Sequence, residues 1–248
     1  MPPYVRDPII IEASRIELGY ISEHLGPRKR GANPAAILIG GWAVDSFNPW
    51  YGSVDIDLIV DHDARASIQH HLVTTRGFVH ERVDDVMRRI VKTVDGKKII
   101  LDLGSKATPD PFEVTGSHLD YSFLNTHNVR RSVAGYEMYL PTRAALLLMK
   151  MKAASDRGYR LSSGTSSDPQ WESGKHMKDK GDILALLDPS HGGRDISLVE
   201  MAEFFNKFPF LTMVLESLAD DGPAIEFYGR IDAGEVREII ETVLMQTT

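Results

Sequence analysis

The segment Val54–Val60 holds two acidic residues at a spacing that suits metal-dependent chemistry. It reads Val-Asp-Ile-Asp-Leu-Ile-Val, so Asp55 and Asp57 alternate with apolar residues. Side chains alternate between the two faces of a strand, and these carboxylates would therefore lie on one face, about 7 Å apart. Like charges at that distance favour a cation between them, and Mg²⁺ accepts one or two carboxylates together with substrate phosphates. The alternative is an exposed strand face with two solvated aspartates.

A second feature is the pair Gly40-Gly41, which falls between a short apolar strand at Ala35–Ile39 and a helical segment that starts at Trp42. Glycines at such a turn allow backbone amides to approach a phosphate, and a helix N-terminus favours negative charge. The alternative is a tight turn without a ligand. Only a short helix and a return separate Gly40 from Asp55, so we expect the two features to meet at the same end of neighbouring strands.

A β-hairpin is predicted just downstream. Val86–Val94 and Lys97–Leu103 are both rich in β-forming residues, and Asp95-Gly96 joins them. An Asp-Gly pair suits a type I′ turn, because both of its central residues need positive φ.

Asp102 interrupts the aliphatic second strand of this hairpin, and an aspartate there is expensive to bury without a partner. Counting back through the turn pairs Val94 with Lys97 and places Arg89 opposite Asp102, on the same face. Two interpretations remain open, and both can hold at once. Asp102 is the ion-pair partner of Arg89, or it is a third metal-binding carboxylate with Arg89 near the phosphate or the base.

Apolar periodicity, caps and turn residues predict an α+β protein, with a mixed sheet flanked by helices and a helical C-terminal region. We expect an α/β domain over residues 1–140 and a helical domain over residues 141–248. The Ser- and Gly-rich segment Tyr159–Gly174 is expected to be a flexible loop or a lid. The predicted helices are Ile9–Leu25, a helix capped by Asp63 that runs to about Thr75, Arg143–Arg157, Lys175–Leu187, Ser197–Phe208, Leu211–Leu218 and Glu235–Leu244.

Two cations on the first helix of the C-terminal region are also candidate ligands. Lys150 and Arg157 are two helical turns apart on one face, and Ala153 and Ala154 between them leave room for a bulky group. The alternative is that both cations flank a solvated stripe.

The string LIGGWAVDSFNPWYGSVDIDLIV, followed by an isolated aspartate in a later strand, resembles the DNA polymerase beta-like nucleotidyltransferase superfamily. The later segments LLLMKMKAASDRG and KDKGDILALL are similar to nucleotidyltransferases of the abortive-infection toxin type and to some aminoglycoside nucleotidyltransferases. The resemblance covers roughly residues 35–190. This chain departs from the pattern by having Gly-Gly-Trp where Gly-Ser is usual, which removes one hydroxyl from the phosphate turn.

The resemblance implies roles for individual residues. Asp55, Asp57 and Asp102 would be both the catalytic residues and the metal ligands. The nucleotide-binding residues would be Gly40, Gly41, Ser53, Lys150 and Arg157, and the secondary candidates Arg89, Lys178, Asp179 and Asp182.

The activity implied is transfer of a nucleoside monophosphate from a nucleoside triphosphate such as ATP to an acceptor hydroxyl, with release of pyrophosphate. Mg²⁺ or Mn²⁺ would be the cofactor, and two-metal catalysis the mechanism. A tRNA, a protein side chain or an aminoglycoside-like small molecule would each fit as acceptor. The alternative is a catalytically inactive protein of the same fold that binds a nucleotide or a partner, although the presence of all three carboxylates argues against it.

Composition and absent motifs exclude several other classes of protein and of site. The 248 residues contain no cysteine, which excludes disulfides and thiolate metal sites, and the formal net charge of −7 is opposite to that of a general nucleic-acid coat. The motifs HExxH, GxxxxGK[ST] and GxSxG are absent. Without a secretory signal or an apolar run long enough for a membrane span, we expect a cytoplasmic protein.

Overall fold

The computed structural model describes residues 6–26, 28–82 and 88–247. The chain divides into two compact units. The first, here the α/β unit, contains residues 6–110 and 119–142, and the second, the helical unit, contains residues 111–118 and 143–247. The predicted α+β fold, with a mixed sheet, flanking helices and a helical C-terminal region, is confirmed.

The α/β unit contains three α-helices and all of the described strands except one residue each of β8 and β9. Its first helix begins where Asp7 accepts a hydrogen bond from the Ile9 amide, with Pro8 at the first helical position. In chain order the elements are α1 (Pro8–Leu25), β1 (Lys29–Arg30), β2 (Asn33–Pro34), β3 (Ala36–Ile39), α2 (Gly40–Phe47), β4 (Ile56–Val60), α3 (His62–Thr75), β5 (Val79–Arg82), β6 (Arg88–Val94), β7 (Lys97–Ser105), β8 (Asp110–Pro111), β9 (His118–Leu119), β10 (Asn128–Val133) and β11 (Tyr136–Pro141). The second strand of the β8–β9 pair begins at His118, which belongs to the helical unit.

The main sheet has five strands in the order β3-β4-β7-β6-β5. The pairing of β4 with β7 is parallel, and the other three pairings are antiparallel. The strands β3 and β4 are almost continuously apolar, as is typical of strands that are covered on both faces. The fully buried side chains of the sheet include Ile37, Leu38, Ile56, Leu58, Ile99 and Leu101.

The predicted hairpin is confirmed. Asp95 and Gly96 have φ values of 48° and 74°, and the pairing of β6 with β7 runs from Val94–Lys97 to Ile90–Leu101. The positions Val86 and Met87 of the predicted first strand lie outside the described residues.

The helical unit contains six α-helices within its described residues. Its core consists of apolar side chains from all six, including Leu147, Met151, Leu186, Phe205 and Leu215. The helices are α4 (Arg143–Ser163), α5 (Pro169–Leu187), α6 (Leu198–Lys207), α7 (Thr212–Ala219), α8 (Gly222–Tyr228) and α9 (Ala233–Thr247). Among the residues that the structure describes, no helix is long and apolar enough to cross a membrane.

The flexible loop or lid predicted for Tyr159–Gly174 is wrong. The first helix continues through Gly158 as far as Ser163, and α5 begins at Pro169, so only residues 164–168 connect the two. Gly158 lies beside the His176 ring on α5, and a Cβ there would be in ordinary van der Waals contact with Nε2 of His176, at 3.4 Å. Asp168 caps α5 by accepting a hydrogen bond from the Trp171 amide.

Two further expectations need correction, and one hairpin was not predicted. Helix α3 is capped by Asp61, which accepts a hydrogen bond from the Ala64 amide, and not by Asp63. Strand β4 begins at Ile56, two residues later than predicted. The hairpin of β10 and β11 was not predicted, and it packs against β3.

Candidate active site

The parallel pairing of β4 with β7 brings two of the predicted catalytic residues together. Asp57 and Asp102 are Cα partners in this register, so their side chains leave neighbouring strands on the same face of the sheet. Adjacent strands are about 4.8 Å apart. Asp57 is half-buried and Asp102 is exposed. Two carboxylates are therefore adjacent at a place that solvent can reach.

Gly40 lies directly against Asp57. The strand residue before it, Ile39, is the Cα partner of Asp57 in the antiparallel pairing of β3 with β4. A Cβ added to Gly40 would overlap Oδ2 of Asp57 and would come within 2.8 Å of its Cγ. Gly40 also has a φ of +68°, a conformation that L side chains rarely adopt. Only glycine fits here, for both reasons, and the expected meeting of the Gly-Gly turn with the Asp-x-Asp strand is confirmed.

The same contact places the start of α2 beside the acidic pair. The helix begins at Gly40, with Ile39 at the N-cap, where its aliphatic side chain provides no capping hydrogen bond. The first backbone amides of a helix have no partner within the helix, and together with the helix dipole they favour an anion. The turn thus has the chemistry of a phosphate site next to Asp57.

Asp55 precedes β4, so its direction is set by the loop before it and not by the strand pleat. That loop is fixed by packing: Trp50, Tyr51 and Ser53 are all buried. Gly52 has a φ of +77°, and a Cβ on it would lie 2.7 Å from Cγ2 of Ile11 on α1. Asp55 itself is half-buried. It is thus held two residues before Asp57 by a packed loop.

The donor set suits a hard cation only in part. Two adjacent carboxylates beside a phosphate-type turn fit Mg²⁺, which usually combines one or two carboxylates with substrate phosphates. Within residues 6–26, 28–82 and 88–247, no group of three His, Asp or Glu side chains is arranged to hold a metal ion. The three-carboxylate metal site of Asp55, Asp57 and Asp102 therefore stays a prediction.

Arg89 is engaged on the far side of the hairpin. Its guanidinium pairs with the Glu81 carboxylate on β5 at 2.7 Å, and Lys98 contacts the same carboxylate. These two cations hold the pKa of Glu81 below its usual value through hydrogen bonds, first from Lys98 and then from Arg89. Arg89 thus pairs with Glu81, and both interpretations of Asp102 stay predictions.

The other predicted residues lie in the helical unit, where they form a buried ion network between α4 and α5. Lys150 contacts Asp179 at 3.0 Å and Asp182 at 2.7 Å, and Lys178 also donates to Asp182, at 2.9 Å. Arg157 donates to Asp179 at 2.8 Å. The side chain of Lys150 is 10% exposed and that of Asp182 only 1%.

The network continues toward the end of α4. Arg157 and Arg160 both contact Glu172, at 2.7 and 2.8 Å, and Arg160 also pairs with Glu113. Sequence reasoning missed Glu172 and Arg160, because the expected loop over residues 159–174 contained both of them. The Asp168-Pro169 pair, a typical helix start, was the signal that could have revealed them.

The pKa directions follow from how many opposite charges each group meets. Burial alone would lower the pKa of Lys150, but Asp179 and Asp182 outweigh burial and raise it. Burial alone would raise the pKa of Asp179, but Lys150 and Arg157 outweigh it and lower this pKa to about 2. The pKa of Lys178 is lowered, first by burial and then by the charge of Lys150, and Asp182 compensates only in part.

Lys150 and Arg157 stabilise the helical unit through these ion pairs. Both side chains join α4 to α5 through buried carboxylates, which is a structural role. Breaking such a pair by removing one partner is strongly destabilising, because it leaves an uncompensated buried charge. Their role as nucleotide ligands stays a prediction, and the same holds for the secondary candidates Lys178, Asp179 and Asp182.

No family model matches the chain, and no curated protein matches it. Among solved structures, the chain is similar to the crystal structure of an antigenic nucleotidyltransferase-like protein from Paracoccidioides brasiliensis. The identity is 14% and the TM-score 0.41, over 84% of this chain and 92% of that chain. Similarity at this level says nothing about the residues of the site.

Proposed function

We propose that this protein is a magnesium-dependent nucleotidyltransferase whose catalytic centre contains Asp57, Asp102 and Asp55. The observation that carries the proposal is the adjacency of three features. Asp57 and Asp102 are partners on neighbouring parallel strands, and Gly40, at the start of α2, packs on the Asp57 carboxylate. Carboxylates beside a helix N-terminus are the combination that a metal-bound triphosphate requires.

Each residue has a proposed role in the transfer. Asp57 and Asp102, with Asp55, would hold Mg²⁺ or Mn²⁺, which when bound would neutralise charge that develops on the phosphates. The backbone amides at Gly40 and Gly41 bind the leaving phosphates, and Ser53 supports the loop that carries Asp55. Asp102, the more exposed of the adjacent pair, lies nearest the acceptor and takes the proton from its hydroxyl.

The products would be a nucleotidylated acceptor and pyrophosphate. The acceptor oxygen attacks the α-phosphorus of the nucleoside triphosphate, ATP among the candidates, and pyrophosphate leaves in line. The acceptor classes proposed are a tRNA, a protein side chain and an aminoglycoside-like small molecule, all in the cytoplasm. We assign catalysis to the proposed α/β domain of residues 1–140. The proposed helical domain of residues 141–248 has an accessory role.

A direct test begins with nucleotide binding. Thermal melting with each of the four nucleoside triphosphates, with and without Mg²⁺ or Mn²⁺, should show a shift that needs both metal and nucleotide. Pyrophosphate release should then be measured with total RNA, protein and aminoglycoside acceptors. Asp57→Asn is the site variant, and Asp63→Asn, an exposed acid of the same unit, is its matched control.

The outcomes separate the two candidate functions. Metal-dependent pyrophosphate release that Asp57→Asn removes and Asp63→Asn keeps would support the enzyme. Metal-dependent nucleotide binding without release, under every acceptor, would favour the inactive nucleotide-binding protein of the same fold. A protein that binds no nucleoside triphosphate with either metal would contradict both.

A further inference from the structure

The short helix α2 has to be held in place by other elements. It has eight residues, and helices of this length are unstable alone in water. Its first residue, Gly40, packs on Asp57, so a small shift of the helix would move the phosphate turn relative to the acidic pair. A displaced turn would bind the phosphates less tightly, in the ground state and in the transition state alike.

One anchor lies in the N-terminal half of α2. The Trp42 indole Nε1 donates a hydrogen bond to Oγ of Ser14 on α1 at 3.0 Å, and both residues are buried. A buried hydrogen bond of this kind fixes the indole, because either group would lose its partner if the helix moved. This contact joins α2 to the long first helix.

The other anchor acts at the C-terminal end of α2, and it comes from the hairpin that the sequence did not predict. The guanidinium of Arg131 on β10 donates to the Ser46 carbonyl at 3.2 Å and lies 4.5 Å from the centroid of the Phe47 ring. The last four carbonyls of a helix have no partner within the helix, and a cation near them is favourable to the helix dipole. Arg131 thus supplies both a hydrogen bond and a positive charge at the end of α2 that is opposite to the phosphate turn.

We propose that Arg131 is a positioning residue for the nucleotide: by clamping the C-terminal end of α2, it keeps the Gly40-Gly41 amides aligned with Asp57. Arg131 itself lies at the far end of the helix and acts through it. The inference rests on the proposed function for its kinetic consequence, but its structural consequence, a loosened α2, does not depend on activity.

The neighbouring residue provides a matched control. Arg130 precedes Arg131 on the same strand, so its side chain leaves the opposite face. It pairs with Glu137 across the hairpin, and both side chains are about half exposed. Arg130→Gln is the same substitution as Arg131→Gln, but it changes a side chain on the opposite face of the strand.

The experiment compares Arg131→Gln, Arg131→Lys and Arg130→Gln with the wild type in two measurements. The first is amide hydrogen exchange of a peptide that covers residues 40–47, which we expect to be faster by about tenfold in Arg131→Gln alone. The second is steady-state pyrophosphate release. We expect KM for the nucleotide to rise by about tenfold in Arg131→Gln with kcat changed less than about twofold, because ground-state and transition-state binding are lost equally. Arg131→Lys, which keeps the charge but not the planar guanidinium, should give exchange rates and KM values between those of the wild type and Arg131→Gln.

Two results would overturn the inference. If the amides of residues 40–47 exchange at the same rate in Arg131→Gln and Arg130→Gln, Arg131 does not hold the C-terminal end of α2. A fall in kcat and melting temperature with KM unchanged would make Arg131 a general stabiliser of the fold. Failure of the proposed function would look different, since the wild type would release no pyrophosphate while the exchange difference would remain.

Discussion

The two units of this protein differ in how their charged side chains are arranged. In the α/β unit, Asp57 and Asp102 bring like charges together on neighbouring strands, where solvent reaches them. In the helical unit, Lys150 and Arg157 meet Asp179 between two helices, and opposite charges alternate through the interior. The first arrangement places like charges side by side, which suits a bound cation, whereas the second alternates opposite charges within the protein itself.

The difference teaches which charged residues to assign to chemistry. Residue type and motif spacing pointed to both regions with similar strength, because an aspartate in a strand and a lysine on a helix each suit a nucleotide site. The surroundings separate them. Half-exposed like charges beside a helix N-terminus suit a ligand, while a buried set of alternating charges suits stability. Four predictions test this comparison.

The largest effect is expected at Asp57. We expect Asp57→Asn to lower turnover by about 1,000-fold or more, because several kcal/mol of charge stabilisation in the transition state would be lost. The variant should stay folded, and its melting temperature without metal should equal or exceed that of the wild type, since one of two repelling carboxylates is gone. Pyrophosphate release and thermal melting measure the two effects. Full turnover in the variant would remove Asp57 from the site.

Asp102 and Arg89 should behave differently from each other. Asp102→Asn should reduce turnover by about 100-fold or more, the scale of losing a positioned base, with triphosphate binding close to normal. Arg89→Gln should leave turnover nearly unchanged, because Arg89 pairs with Glu81 at a half-exposed site. Kinetics and calorimetric binding on both variants make the comparison. Equal losses of turnover and of stability in the two would restore the ion-pair interpretation of Asp102.

Lys150 tests the helical side of the comparison. We expect Lys150→Met to lower the free energy of unfolding by about 3–5 kcal/mol, because it leaves Asp179 and Asp182 short of one buried cation. Turnover per folded molecule should change little. Arg237→Gln, which removes an exposed cation paired with Asp220 in the same unit, is the control and should leave the free energy of unfolding nearly unchanged. A raised KM for the nucleotide with normal stability would instead identify Lys150 as a triphosphate ligand.

The smallest effect concerns acid stability. The pKa of Asp179 is lowered to about 2 in the folded protein, so its contribution to stability is present above its unfolded pKa, about 3.9, and is lost as the pH falls through 2. Between pH 5 and pH 2, the free energy of unfolding of the wild type should therefore fall more steeply than that of Asp179→Asn. Urea unfolding across this range measures both slopes. If the free energy of unfolding falls equally steeply with pH in the two proteins, the Asp179 carboxylate does not stabilise the fold through its ion pairs.

Local chemistry explains what the sequence could predict. The Asp95-Gly96 hairpin follows from the φ values of two residues, and the meeting of Gly40 with Asp57 follows from a short connection between two apolar strands. That Asp57 and Asp102 lie on neighbouring strands was expected from the family resemblance alone, because local sequence patterns do not determine which strands become neighbours in the sheet.

The failures have the same origin in tertiary structure. Gly158 resembles a helix stop, but α4 continues through it to Ser163, because a glycine inside a helix weakens the helix without ending it where tertiary packing holds it. Only Arg160 and Glu172 depended on that continuation, because the other members of the ion network on α4 and α5 lie within the predicted helices. Arg131 carried no motif at all, and its contact with Ser46 becomes visible only once β10 is placed beside α2.

The parallel pairing of β4 with β7 also determines when in folding the acidic pair can form. Parallel strands cannot be joined by a tight turn, and here α3, β5 and β6 intervene between them. Contacts between such distant segments form slowly, because the entropy of closing the intervening chain is lost first. A slip of one residue would set Leu101 or Leu103 beside Asp57 and turn Asp102 to the other face. We therefore expect a chain still emerging from the ribosome to lack the acidic pair until β7 has been synthesised and has docked in register.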